Sequence, residues 1–293
     1  VRWSEAVKRP EAELMAVLKH VRFATMAEGF VRDTVRAWPA LLSAEGQGLL
    51  HTSLTPVVGG VQPWPRLGFG PRRIYLVGGS EGGGAGAVST VRAYDPALDS
   101  WCEVASMATK RSLHGAAALG GKLYVIGGFH PGEMEQVEVY DPKADGWQPL
   151  PSMPTARRFL AAAAVAGKVY TIGGDKDEGL CDAVEAYDPL SGLWSRAASL
   201  PVARSSHTAA VVDGKIYVVC GEIYDDDDDD VVAMDRVDMY DPVVDSWQQM
   251  AAMPTARSSH AAAIVDGKIY VTGGLAASRE YSDALEAYDP VTN

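Results

Sequence analysis

An apolar run closed by a pair of small residues returns five times along this 293-residue chain, and no other feature constrains its fold as much. The run reads Ile74-Tyr-Leu-Val-Gly-Gly79, Leu123-Tyr-Val-Ile-Gly-Gly128, Val169-Tyr-Thr-Ile-Gly-Gly174, Ile216-Tyr-Val-Val-Cys-Gly221 and Ile269-Tyr-Val-Thr-Gly-Gly274, in steps of 49, 46, 47 and 53 residues. Tyr-Asp-Pro follows each run, at Tyr94, Tyr140, Tyr187, Tyr240 and Tyr288, and Trp101, Trp147, Trp194 and Trp247 stand seven positions after the first four tyrosines. Between each tryptophan and the next run come Arg111, Arg157, Arg204 or Arg257, then a small-residue stretch such as His260-Ala-Ala-Ala-Ile-Val265, then a turn ending in lysine. Such a period accommodates about four strands of 5 to 6 residues with their turns. Runs like Ile-Tyr-Val-Val are apolar without alternation, as inner strands covered on both faces require. The glycine pair allows positive φ and close backbone approach, and the proline of Tyr-Asp-Pro ends a ladder. The tryptophan is expected to pack across its hairpin and against the next unit, which makes these aromatics structural.

These residues resemble the kelch repeat family, whose mark is a strand-ending diglycine followed by tyrosine and tryptophan at this spacing. The resemblance implies a mainly β fold, a β-propeller of four-stranded blades set radially about an axis. Repeats fall at about 66–108, 109–153, 154–200, 201–253 and 254–293, within a domain spanning 61–293, and Cys220 stands where the other units have their first glycine. The family's usual six blades, the first completed by a strand from the C-terminus, make this about five repeats of an incomplete propeller. The first unit begins near its second strand and the fifth stops before its tryptophan.

Charge divides the chain at the same place as the repeat. Net charge is −12, yet residues 1–60 hold seven basic and six acidic side chains, leaving −13 to the remainder. Within 1–60, Leu14, Val17, Leu18 and Val21 share a helical face, Thr25-Met-Ala-Glu28 forms a capping box and Pro39 marks a break, so a small α-helical segment is expected. Val1-Arg-Trp, Leu18-Lys-His-Val-Arg-Phe23 and Gly29-Phe-Val-Arg-Asp33 resemble the latter part of the BACK domain, which in kelch-like proteins joins a BTB domain to the propeller. Composition is that of a globular protein, 47% hydrophobic and 22% charged, with no apolar run long enough for a membrane helix. A pI of about 4.9 argues against nucleic acid or an anionic membrane as partner. Three cysteines at spacings unlike a metal site suit a reducing, cytoplasmic setting.

Catalytic signatures are thin. Gly78-Gly-Ser-Glu-Gly82 has the nucleophile-elbow spacing and Gly82-Gly-Gly-Ala-Gly-Ala87 a dinucleotide-loop spacing, but both need a helix next, and Val88-Ser-Thr-Val-Arg-Ala-Tyr94 reads as strand. His114, His207 and His260 share one repeat position, where a hydrogen bond at a strand start suffices as their role. No metal-ligand spacing is visible, so no cofactor, metal or catalytic residue is assigned. Asp225 to Asp230 read as a solvated loop lacking the alternating oxygen ligands of a specific calcium site.

Arg111, Arg157, Arg204 and Arg257 precede the innermost strand of each blade, and a propeller gathers such loops on one face, where guanidinium groups could grip carboxylates. The resemblance adds Ser112, Ser205, Ser258 and the aromatic Phe129 as partner-binding residues. The alternative is that each arginine only ties loops to the repeat's acidic residues, and Phe159 and Leu160 weaken the third blade's share. The expected function is a non-enzymatic protein-protein interaction module: by resemblance, the substrate-recognition part of a cullin-type ubiquitin ligase adaptor that takes a protein substrate through an acidic peptide segment and meets the cullin through regions upstream of this chain. A kelch scaffold or actin- and cytoskeleton-binding protein is the alternative, and a propeller enzyme of the copper oxidase or sugar isomerase kind the second.

Overall fold

The computed structural model describes residues 73–80, 86–96, 98–224 and 231–292; the expected helical segment 1–60 and Asp225 to Asp230 lie outside them. The second unit shows how the repeat becomes structure. Small residues form the innermost strand, Gly115–Leu119, because its neighbours crowd in: a Cβ on Gly115 would sit 3.0 Å from the Ala162 Cβ of the next unit. The apolar run Lys122–Ile126 pairs beside it, then Val137–Asp141 and Gly146–Leu150, each antiparallel to the last.

The third unit repeats the order with Ala161–Val165, Lys168–Ile172, Val184–Asp188 and Leu193–Ala197, and the fourth with Thr208–Val212, Lys215–Val219, Val237–Asp241 and Ser246–Gln249. Among the described residues the first sheet has three strands, Ile74–Val77, Val91–Asp95 and Ser100–Val104, and the fifth has Ala261–Val265, Lys268–Thr272 and Leu285–Tyr288. The small innermost strands of units two to five lie side by side, so the five sheets are successive blades of a β-propeller. Apolar side chains interleave between blades: Tyr124, Ile126 and Val139 of the second meet Leu160, Ala162 and Val169 of the third.

Aromatic residues fasten blade to blade. Tyr94, Tyr140, Tyr187 and Tyr240 face Trp101, Trp147, Trp194 and Trp247 across their hairpins, with ring centroids 5.0 to 5.3 Å apart. The tryptophans, however, reach the preceding blade rather than the next. Trp147 and Trp247 donate their indole N–H to the carbonyls of Ala105 and Ala198, each 2.7 Å away, and Trp194 to that of Pro151 at 2.8 Å. Those carbonyls follow an outermost strand and have no ladder partner, so a donor from the adjoining blade satisfies them.

Candidate binding face

Four antiparallel strands in sequence put two kinds of connection on one face of the propeller: the loops after each diglycine, and the arginine-bearing loops that cross to the next blade. The lysine turns and Tyr-Asp-Pro turns fall on the opposite face. The diglycine brings the two loop kinds together. Gly174 and Gly221, at φ +113° and +104°, could not carry a side chain without strain, and a Cβ would lie 2.6 and 2.7 Å from the carbonyl oxygens of Arg158 and Ser205. That approach allows backbone pairing of Ser112 with Phe129, Arg158 with Asp175, Ser205 with Glu222 and Ser258 with Leu275.

The expected ring of accessible guanidinium groups is not on this face. Arg111, Arg157, Arg204 and Arg257 are all fully buried, each against a carboxylate of its own blade. Arg111 lies 2.7 Å from Glu138, Arg157 2.6 Å from Glu185 and Arg257 2.8 Å from Glu286, while Arg204 meets Asp238. Arg111 also donates to the carbonyls of Gly127 and Gln136, at 3.0 and 2.8 Å, and Arg157 to the Thr171 hydroxyl at 2.8 Å. The carboxylates in turn accept from the crossing loops: Glu138 from the backbone N–H groups of Ala108 and Thr109, Glu185 from the Thr155 hydroxyl. Burial lowers the pKa of Arg111 and Arg204, opposed by Glu138 and Asp238. A buried arginine paired with an internal carboxylate staples loop to strand, and the physical reason it turns inward is that its partner acid stands on the third strand. The Tyr-Asp-Pro aspartates serve elsewhere, Asp141, Asp241 and Asp289 lying 3.1 to 3.5 Å from the turn lysines Lys122, Lys215 and Lys268.

Ser112, Ser205 and Ser258 are buried too. What the face presents are three of their neighbours, Leu113, Phe159 and Ser259, while Ser206 is buried. Leu113, Phe159, Ser206 and Ser259 all take positive φ and form a chain of backbone hydrogen bonds from blade to blade: Phe159 donates to Leu113 at 2.8 Å, Ser206 to Phe159 at 3.1 Å and Ser259 to Ser206 at 2.8 Å. Because these residues lead into the innermost strands, the chain runs around the propeller axis. Its one side is apolar, with Leu113 41% exposed and Phe159 and Phe129 half-buried. Its other side is polar, where Ser205 and Ser206 donate to one Glu222 carboxylate oxygen at 3.0 and 2.7 Å.

Arg158 was not among the expected site residues, because it fills a position where the other units have serine. Its guanidinium stacks 5.1 Å from the Phe129 ring and 5.9 Å from Phe159, held by Asp175 at 2.9 Å and Glu133 at 3.0 Å. Phe129, singled out by sequence, is thus part of a rigid aromatic-guanidinium cluster. His207 and His260 are buried at the strand starts, and Nε2 of His260 lies 2.9 Å from the Thr208 hydroxyl. Burial, then the adjoining arginine, lowers His114 to about 4 and His207 and His260 to about 3, so all three stay neutral near pH 7. Ser80 bridges Ala87 in extended pairing and Val91–Asp95 is strand, so among the described residues the chain after both glycine patterns is extended rather than helical. Among the described residues, no cluster of three His, Cys, Asp or Glu side chains could hold a metal ion.

A family model for the KLHDC2/KLHL20/DRC7 Kelch-repeats domain matches residues 69–274, and one for the Kelch motif matches 256–293. Kelch-like protein 15 of Danio rerio is 43% identical over 56 residues, 19% of this chain and 9% of that protein. Kelch-like protein 33 of Homo sapiens is 41% identical over 59 residues, 20% of this chain and 11% of that protein. The matched stretch thus covers about a tenth of these relatives' length. The solved structure of YjhT superposes with a TM-score of 0.65 at 14% identity, over 75% of this chain and 79% of that one, a likeness of fold.

Proposed function

The chain belongs to the kelch-repeat family, and on that premise we propose that it binds a protein partner through the face formed by the diglycine and arginine loops. In the whole protein it would select the substrate of a cullin-type ubiquitin ligase. One observation carries the docking reading: an apolar group, Leu113, Phe129 and Phe159, is held in place by backbone bonds, between blades for Leu113 and Phe159 and within the second blade for Phe129, rather than being free to collapse. Apolar and aromatic anchors on a rigid frame, beside a polar rim, are what a protein interface uses. The ligase role rests on family resemblance alone.

A photo-crosslinking amino acid at position 113 or 159 should yield the same partner adduct, and one at Leu190 or Val243, which are 98% and 89% exposed on the opposite turns, should yield none. Adducts from the opposite turns alone overturn the docking reading. For the ligase role, the crosslinked partner should persist longer in cells when the full-length protein carries Phe159→Glu. Turnover unchanged by that substitution refutes it.

A further inference from the structure

We infer that the partner segment taken by this face is a basic, partly apolar peptide, one that sets a lysine or arginine beside a leucine-like or aromatic side chain. This rests on the docking reading above and names its chemistry. The recurring arginines, which would have favoured an acidic partner, are themselves fully buried, are each paired with a carboxylate of their own blade and reach no ligand. What remains on the face is acidic. The post-diglycine loops at 129–136, 175–183, 222–224, 231–236 and 275–284 carry ten carboxylates against three cations, Lys176, Arg236 and Arg279. The crossing loops add Lys110 and Arg158, and both Arg158 and Arg236 are already held by carboxylates of this protein.

The second observation is a juxtaposition at the axis. Ser206 joins Phe159 and Glu222: its backbone N–H donates to the Phe159 carbonyl at 3.1 Å while its hydroxyl donates to Glu222 at 2.7 Å. An apolar anchor and a carboxylate therefore stand one step apart on the ring. Among the described residues Glu222 meets hydroxyls and no cation. Side chains two residues apart in an extended peptide point to the same side, about 6.6 to 7.2 Å from each other along the chain, and can reach both groups. Tyr224 and Tyr281, 48% and 90% exposed on the same loops, offer ring faces to a further cation. A chain of net charge −12 also steers a basic segment inward at long range.

The test uses three fluorescent, amidated twelve-residue peptides that repeat leucine-serine-X-serine, with X arginine, serine or glutamate so that leucine and X share one face of the extended peptide, titrated against the full chain by polarisation. The leucine-arginine peptide should bind, weaken as salt rises, and lose about tenfold in affinity with Glu222→Gln and with Phe159→Ser. Tyr281→Ser, at a side chain too exposed to matter for folding, should cost about threefold. Equal binding of the serine or glutamate peptide overturns the inference, as does full affinity in the Glu222→Gln and Tyr281→Ser variants, which marks mere charge attraction. If positions 113 and 159 crosslink a partner whose bound segment is acidic or uncharged, this inference falls while the docking reading stands; if they crosslink nothing, the docking reading itself falls.

Discussion

Arg157 and Glu185 form an ion pair 2.6 Å long between side chains with no exposed surface at all, deep between the crossing loop and the third strand of one blade. Neither charge is solvated, so each depends on the other. Arg157→Met is expected to destabilise the protein by about 3 to 5 kcal/mol, because an isolated carboxylate is left buried. Adding Glu185→Leu should recover most of that loss, since well-packed apolar residues can replace a buried pair at little cost. Urea denaturation of the single and double variants decides it. A single variant as stable as the parent would place Arg157 in solvent and revive the surface-ring reading.

Trp147 holds two blades together by its N–H as well as its ring. Trp147→Phe keeps much of the apolar contact but loses the bond to the Ala105 carbonyl, and should cost about 0.5 to 1.5 kcal/mol. Trp147→Ala should cost more, though less than the roughly 3 to 5 kcal/mol of a fully buried tryptophan, because this one is half-buried. Thermal unfolding of both variants checks the order; equal losses would mean that the ring contact adds nothing beyond the hydrogen bond, and an unchanged Trp147→Phe that the hydrogen bond contributes nothing.

Strand order, the diglycine turns and the Tyr-Trp pairs were legible because a repeat states each local rule several times over. The direction of the tryptophan contact was not, since a repeat does not say which neighbouring blade lies within reach of an outer strand. Arginine burial carried a signal that reading each loop alone overlooks. Glu138, Glu185, Asp238 and Glu286 stand two residues before the repeat tyrosine, on an otherwise apolar strand, in the same four units that have the loop arginine. The first unit has Arg92 at that position. An acid and a base recurring together in apolar surroundings imply each other. Arg158 escaped notice for the opposite reason, as the unit that departs from the repeat at that position.

Thiol chemistry should separate the cysteines. Cys220 is buried at the strand end where other units have glycine, and burial pushes its pKa up to about 12; Cys102 is exposed on an outer strand. Iodoacetamide at neutral pH should alkylate Cys102 in the native protein and reach Cys220 and Cys181 only on unfolding, because the thiolate is the reacting species. Mass spectrometry of peptides from a time course reads this out. Comparable native rates at Cys102 and Cys220 would contradict the placement of the latter.

Acid should weaken the fold before its carboxylates begin to titrate. His114, His207 and His260 have folded-state pKa values of about 4, 3 and 3, below the roughly 6.5 of an unfolded histidine. Between those values the unfolded chain binds more protons than the folded one, so stability is full above about pH 7 and declines as pH falls through that window. Each histidine contributes at most about 1.4 kcal/mol per pH unit. Asp145 and Asp245 are held below the usual carboxylate range by the hydrogen bonds they accept from Ala105 and Tyr140 and from Tyr240 and Ala198, and their share of stability is lost only further down, near pH 4 and below. The interval from pH 6.5 to 5 therefore isolates the imidazoles. Urea midpoints taken across it should fall for the parent and fall less steeply for His207→Gln, whatever that substitution costs at pH 7.5. Parallel slopes in the two proteins would show that His207 is free to take up a proton in the folded state, and would undo the assignment of these histidines as neutral, buried supports of the strand starts.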